Sequence, residues 1–141
     1  MRALSYLLDT NVISELRKRS PSAQVLAWFG AVPASELFLS CLTIGEIRIG
    51  VERFRRKDEA QAAAIEHWLT GLRTSYQERI VPVDTAVAET WGRINVPATL
   101  PTVDGLLAAT ALTRDWTLVT GNVADFAHCG PRLLNPWRAS G

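Results

Sequence analysis

Two periods of hydrophobicity alternate along this chain, and that alternation limits its fold more than any other feature. Short apolar runs at Ser5–Leu8, Leu37–Leu42, Arg79–Val83 and Thr117–Thr120 have the length of strands, and Arg132–Leu134 offers a short fifth. Between them lie helical segments. Asn11–Arg19 and Ser22–Phe29 are two short helices parted by Pro21. Thr43–Arg56 carries Ile44, Ile47, Val51 and Phe54 at steps of three and four, and Asp58–Tyr76 carries Ile65, Leu69 and Leu72 on one stripe. Thr85–Ile94 and Val103–Arg114 are further helices, and Val96–Pro101, with two prolines, is a loop. Strands spaced by helices predict an α/β fold, with a central parallel sheet of four to five strands covered on both faces. With 141 residues, the chain has room for one such domain, 1–141, and for a core that needs no disulfide or structural metal.

In sheets of this kind, sites form outside the carboxyl ends of the strands. Polar residues collect there. Asp9 ends the first run, in Leu-Leu-Asp-Thr-Asn. Alone it reads as an N-cap for the next helix. Glu46 follows the second run, in Thr43-Ile-Gly-Glu, which also reads as a capping box. Asp104 lies in the first turn of its helix, where an acid suits the dipole and where Thr102 already provides a cap. Asn122 and Asp125 follow the fourth run, where a turn residue and a surface acid would be ordinary.

Each of these local explanations suffices by itself, but their conjunction is harder to explain that way. Three strand ends and one helix would bring Asp9, Glu46, Asp104 and Asp125 to one edge of the sheet. Carboxylates sharing a pocket repel one another unless a cation neutralises them. Oxygen-only ligands select hard cations such as Mg²⁺ or Mn²⁺, and such ions suit phosphodiester hydrolysis by an activated water.

The series Leu-Leu-Asp-Thr-Asn-Val-Ile-Ser-Glu, Thr-Ile-Gly-Glu-Ile-Arg-Ile-Gly-Val, Val-Asp-Gly-Leu-Leu-Ala-Ala-Thr-Ala-Leu and Leu-Val-Thr-Gly-Asn-Val-Ala-Asp-Phe resembles the PIN-domain ribonucleases, and among them the VapC-like toxins. The closing Leu-Leu-Asn135-Pro136-Trp137 is similar to the end of that subfamily. The resemblance implies a PIN-like three-layer fold and a Mg²⁺- or Mn²⁺-dependent endoribonuclease. Asp9, Glu46, Asp104 and Asp125 would be its catalytic, metal-binding acids, and Asn11, Thr120 and Asn122 its supporting polar residues. It also implies a VapB-like antitoxin partner, an RNA substrate, a homodimer, and contact with operator DNA only through the antitoxin. Some relatives have Asp where this chain has Asn122, and an Arg is common where Gly121 stands.

Other features carry ordinary explanations. The basic clusters Arg17-Lys18-Arg19 and Arg53–Lys57 fall at helix C-termini, where cations suit the dipole; as an RNA grip they would flank the cleft. A net charge of +1 excludes binding of nucleic acid by bulk charge. Arg48 has no assigned role. The five tryptophans offer rings on which bases could stack, though large aromatics more often belong to cores and dimer faces; Asp84 reads as an N-cap. His67 and His128 are isolated. Cys41 and Cys129, in no CxxC motif, are expected to be half-buried thiols of a cytoplasmic protein. The run Ala3–Leu8 is too short for a signal-peptide core, and no run approaches the ~20 residues of a membrane span. Two alternatives differ in class. A receiver-like phosphoacceptor domain needs a lysine near the last strands, and Lys18 and Lys57 are badly placed for it. A PIN-like module with a decayed metal site would act only through its partner.

Overall fold

The computed structural model describes residues 4–96 and 99–138, so Pro97 and Ala98 of the expected proline loop lie outside the described residues. In chain order the elements are β1 (Tyr6–Leu8), α1 (Thr10–Arg17), α2 (Ala23–Ala31), β2 (Leu37–Ser40), α3 (Cys41–Arg55), α4 (Glu59–Ser75), β3 (Ile80–Val81), α5 (Thr85–Ile94), α6 (Thr102–Arg114), β4 (Thr117–Val119), α7 (Val123–Phe126) and β5 (Arg132–Leu134). Single 3₁₀ turns, Ala34–Glu36 and Gln77–Arg79, lead into β2 and β3.

The five strands form one sheet in the order β3-β2-β1-β4-β5, and every pairing is parallel. β1 lies at the centre, with Leu7 opposite both Phe38 of β2 and Leu118 of β4. Successive strand residues face opposite sides, so the apolar strand runs supply two cores at once. Leu8, Leu37, Leu39 and Val119 pack against Val12 and Ile13 of α1, Ile47 and Val51 of α3, and Ile65 and Leu69 of α4. Leu7, Val81 and Leu118 pack on the other side against Leu107, Ala108 and Ala111 of α6 and against Phe126 of α7. The result is the three-layer α/β fold expected from the alternation of periods.

Several boundaries differ from the sequence expectation, and each difference has a local cause. β2 stops at Ser40 because the buried Ser40 side chain accepts from the Leu42 amide at 3.0 Å and starts α3 two residues early. Thr43 and Glu46 therefore stand inside α3 and do not form a capping box. Thr102 does not cap α6 either: it is the first helical residue, preceded by Pro101, and no side chain caps that end. The four-residue α7 is too short to show a period. Asp84 does cap α5, accepting from the Val87 amide at 2.9 Å.

The basic residues have mixed fates. Arg55 bonds Glu52, Glu59 and Glu66, and Arg48 bonds Glu52 and Glu66, so the two guanidiniums tie α3 to α4. Arg48 thus gains a structural place. Arg17 lies over Trp68 at 5.9 Å. The tryptophans pack: Trp28 meets Tyr6 edge-on, Trp116 stacks on Phe38, and Trp68 lies against the core. The thiols are not alike, since Cys41 is exposed and Cys129 buried. Among the described residues, no helix is long and apolar enough to cross a membrane.

Candidate active site

Asp9 follows β1 directly, and its amide donates to Val119 O of β4 at 2.9 Å, so the sheet itself fixes its backbone. Its carboxylate is buried and held from two sides. Oδ1 accepts from the Thr10 amide at 2.7 Å, the N-terminal contact that the N-cap explanation foresees. Oδ2 accepts from Thr120 Oγ1 at 2.7 Å, which that explanation does not foresee. Thr120, wholly buried at the end of β4, in turn accepts from the Asn122 amide at 3.0 Å and from Asn11 Nδ2 at 3.5 Å. One hydroxyl thus joins Asp9, Asn11 and the chain at Asn122.

Glu46 projects from the second turn of α3. Thr10 Oγ1 lies 2.5 Å from its Oε1 and 3.2 Å from the hydroxyl of buried Thr43. Neither threonine follows from the sequence reasoning. The only signal for Thr10 is its place between Asp9 and Asn11.

Asp104 is half-buried in the first turn of α6, and Asp125 is exposed in α7. Neither carboxylate has a hydrogen bond or ion pair among the described residues. The acids feel one another. Burial raises the Asp104 carboxyl above its ordinary value, and the charges of Asp9, Glu46 and Asp125 raise it further. Burial also raises Asp9, against the opposing bonds from Thr120 and Thr10, and Glu46 adds to the rise. No cation lowers either group. Asp104 therefore lies in the field of Asp9, Glu46 and Asp125, and no cation among the described residues offsets it.

This donor set fits a hydrated hard cation better than a caged one. It is all oxygen, which excludes the nitrogen and sulfur ligation that zinc prefers. Among the described residues, no three His, Cys, Asp or Glu side chains stand close enough to form a ready-made cage. An ion such as Mg²⁺ needs no such cage, because it keeps several waters and binds through one or two carboxylates.

Gly121 is covered by Trp137. A Cβ at residue 121 would stand 2.9 Å from Trp137 Cζ3, so no side chain fits there while the indole keeps its place. Asn135 Oδ1 holds that segment by accepting from the Trp137 amide at 3.0 Å.

A doubly covered parallel sheet with uncompensated acids outside its carboxyl ends defines an α/β protein with an oxygen-only acidic centre. The chain matches the PIN domain over residues 6–129 and belongs to that family. It is 31% identical over 138 residues to the toxin FitB of Neisseria gonorrhoeae, covering 93% of this chain and 97% of the relative. It is likewise 31% identical over 139 residues to the VapC ribonuclease Y4jK of Sinorhizobium fredii, covering 93% of this chain and 96% of that protein. Among solved structures it superposes on FitAB bound to a DNA fragment with a TM-score of 0.86, at 27% identity, covering 96% of this chain and 98% of that one.

Proposed function

We propose that this protein is a metal-dependent endoribonuclease, the toxin of a VapBC-type toxin–antitoxin pair, acting as one PIN-like domain. The observation that carries this is the charge of Asp9, Glu46 and Asp125 acting on Asp104 with no balancing cation among the described residues, in a chain of the PIN domain family. The names of the relatives, a toxin and a VapC ribonuclease, support the same reading.

Asp9, Glu46, Asp104 and Asp125 would hold Mg²⁺ or Mn²⁺. Bound there, the ion supplies positive charge that makes water a stronger nucleophile and offsets charge on the departing 3′ oxygen. The protein's part is to fix the ligands. Thr120 and the Thr10 amide set both oxygens of Asp9, and Thr10 Oγ1 sets Glu46. Asn11 and the Asn122 amide hold Thr120 in turn. No protein nucleophile is required, and the products carry 5′-phosphate and 3′-hydroxyl ends.

The partners follow from the same reading. A VapB-like antitoxin would lay an arginine-bearing tail across the acids, since bidentate Arg–carboxylate pairs are strong. The free protein would be a homodimer in the cytoplasm, and operator DNA would be reached only through the antitoxin; the superposable FitAB structure bound to DNA supports such an assembly.

The test is to incubate purified protein and an Asp9→Asn variant with total RNA in Mg²⁺, Mn²⁺ or EDTA and to map the fragment ends. Discrete metal-dependent cuts with 5′-phosphate ends, lost in the variant, support the nuclease. Cleavage by Asp9→Asn at the wild-type rate overturns it. The lack of a ready-made cage favours one second reading, a binding module with a decayed centre. That reading requires that neither Mn²⁺ binding nor cleavage be seen.

A further inference from the structure

Beside the acids lies a cavity of about 470 Å³ that the hydrolysis itself leaves unused, lined by Asn11, Ser14, Glu15, Lys18, Asn122 and Trp137. It shares a wall with the centre, because Asn11 and Asn122 both bond the hydroxyl that holds Asp9.

Several features describe an occupant. The volume lies within the range of small-molecule pockets and exceeds what a single base needs. Trp137 provides an aromatic wall seated over Gly121, and its backbone amide donates to Asn135 Oδ1. A wall already in place costs little ordering on binding. Asn11 Oδ1, on the same wall, is buried without a hydrogen-bond partner. Lys18 supplies a cation whose side chain is 63% exposed, its Nζ 2.7 Å from Oε1 of buried Glu15. Glu15 Oε2 accepts from the Ser22 amide, so the carboxylate is held and keeps the ammonium near the cavity. The neighbouring acids repel a polyanion. A strand lying over them must therefore gain its affinity from neutral groups and from a cation set to one side.

We propose that this cavity is a nucleobase subsite: a base next to the phosphate at the acidic centre stacks on Trp137, and Lys18 meets the adjoining backbone phosphate. The proposal rests on the RNA-cleaving function proposed above and names how that substrate is gripped. Stacking on tryptophan accepts every base, so the subsite supplies affinity and register more than sequence choice.

The test compares a labelled single-stranded oligoadenylate with the same strand made abasic, by fluorescence anisotropy in EDTA, where no cleavage is needed. Wild type is expected to favour the base-bearing strand by about tenfold, and Trp137→Leu to bind both alike. A purely structural role for Trp137 would weaken both strands together and leave the ratio unchanged. Trp137→Phe, which keeps an aromatic ring, gives an intermediate ratio and serves if the leucine variant does not fold. Lys18→Ala, at an exposed position, keeps the ratio and flattens the salt dependence by about one phosphate contact, a slope change of ~0.7. A ratio in Trp137→Leu equal to that of wild type overturns the subsite, and an unchanged salt slope overturns the part given to Lys18. If wild type cuts RNA in Mn²⁺ yet shows no base preference, the subsite fails and the nuclease stands. If it neither cuts RNA nor binds either strand, both fail.

Discussion

Thr120 Oγ1 donates to Asp9 Oδ2 at 2.7 Å across 111 residues of sequence. The bond crosses between adjacent strand ends and is buried. Because the same oxygen accepts from Asn11 and from the Asn122 amide, its loss would leave three groups without a partner. Removing one partner of a buried bond exposes the others' desolvation cost, ~1–3 kcal/mol. Thr120→Val should therefore lower stability by about 2 kcal/mol. It should slow cleavage at least tenfold, while Thr120→Ser should recover most of both. Denaturant melts and single-turnover cleavage check this; wild-type cleavage by the valine variant would show that Asp9 needs no orienting hydroxyl.

The acids should destabilise the metal-free protein at neutral pH. Burial, and then neighbouring charge, raises the carboxyl of Asp104; burial leads again for Asp9. A carboxyl raised in the folded state holds its proton more tightly there than in the unfolded chain. Its contribution to stability is complete below the ordinary aspartate range and is lost as pH rises through the raised value. In EDTA, the melting temperature should thus fall as pH rises from that range toward neutrality. Asp104→Asn should flatten this fall and melt a few degrees above wild type at neutral pH. Thermal melts across pH would refute the idea if both proteins followed one curve.

A bound cation should reverse that penalty. Mn²⁺ at ~100 times its dissociation constant adds ~2.7 kcal/mol to a protein that binds it only when folded. For a domain of this size, that is a rise in melting temperature of roughly 5–10 °C. The rise should vanish in EDTA and in Asp9→Asn. An equal rise in Asp9→Asn would place the ion elsewhere.

Gly105 follows Asp104 and faces Trp91 of α5. A Cβ there would stand 2.9 Å from both Cδ1 and Nε1 of the indole, so Gly105→Ala must push α6 and α5 apart. Overpacking of this kind costs ~1–3 kcal/mol. Because the shift is at the first turn of α6, it should also move Asp104 and weaken Mn²⁺ binding. Gly92→Ala, where a Cβ meets nothing within 4 Å, is the control and should leave Mn²⁺ binding unchanged. Calorimetric titration of both variants decides the matter.

Much of this structure was legible because two periods do not overlap. The strands Tyr6–Leu8, Leu37–Ser40 and Thr117–Val119 are continuous apolar runs, as parallel strands buried on both faces must be. The positions of Asp9 and Asp125 beyond strand ends were legible too, since Asp9 stops one run and Asp125 lies just beyond another. What stayed hidden is whatever depends on the start of a helix or on contacts across the sequence. Ser40 and Thr43 are both competent caps by residue type and both are buried; what separates them is the bond that Ser40 accepts from the Leu42 amide, which starts the helix there. The pairing of Thr10 with Glu46, and the seat of Trp137 over Gly121, join residues that no local pattern relates.

The strand order has a temporal consequence. β1 lies at the middle of the sheet, yet one of its two neighbours is β4, made more than a hundred residues later. A chain emerging from the ribosome therefore holds Asp9 and Glu46 long before the hydroxyl and the acids that complete their surroundings exist. For most of its synthesis the nascent polypeptide has no centre at all. The surroundings of Asp9 are complete only once the stretch from Asp104 to Asp125 has been made and β4 has paired with β1.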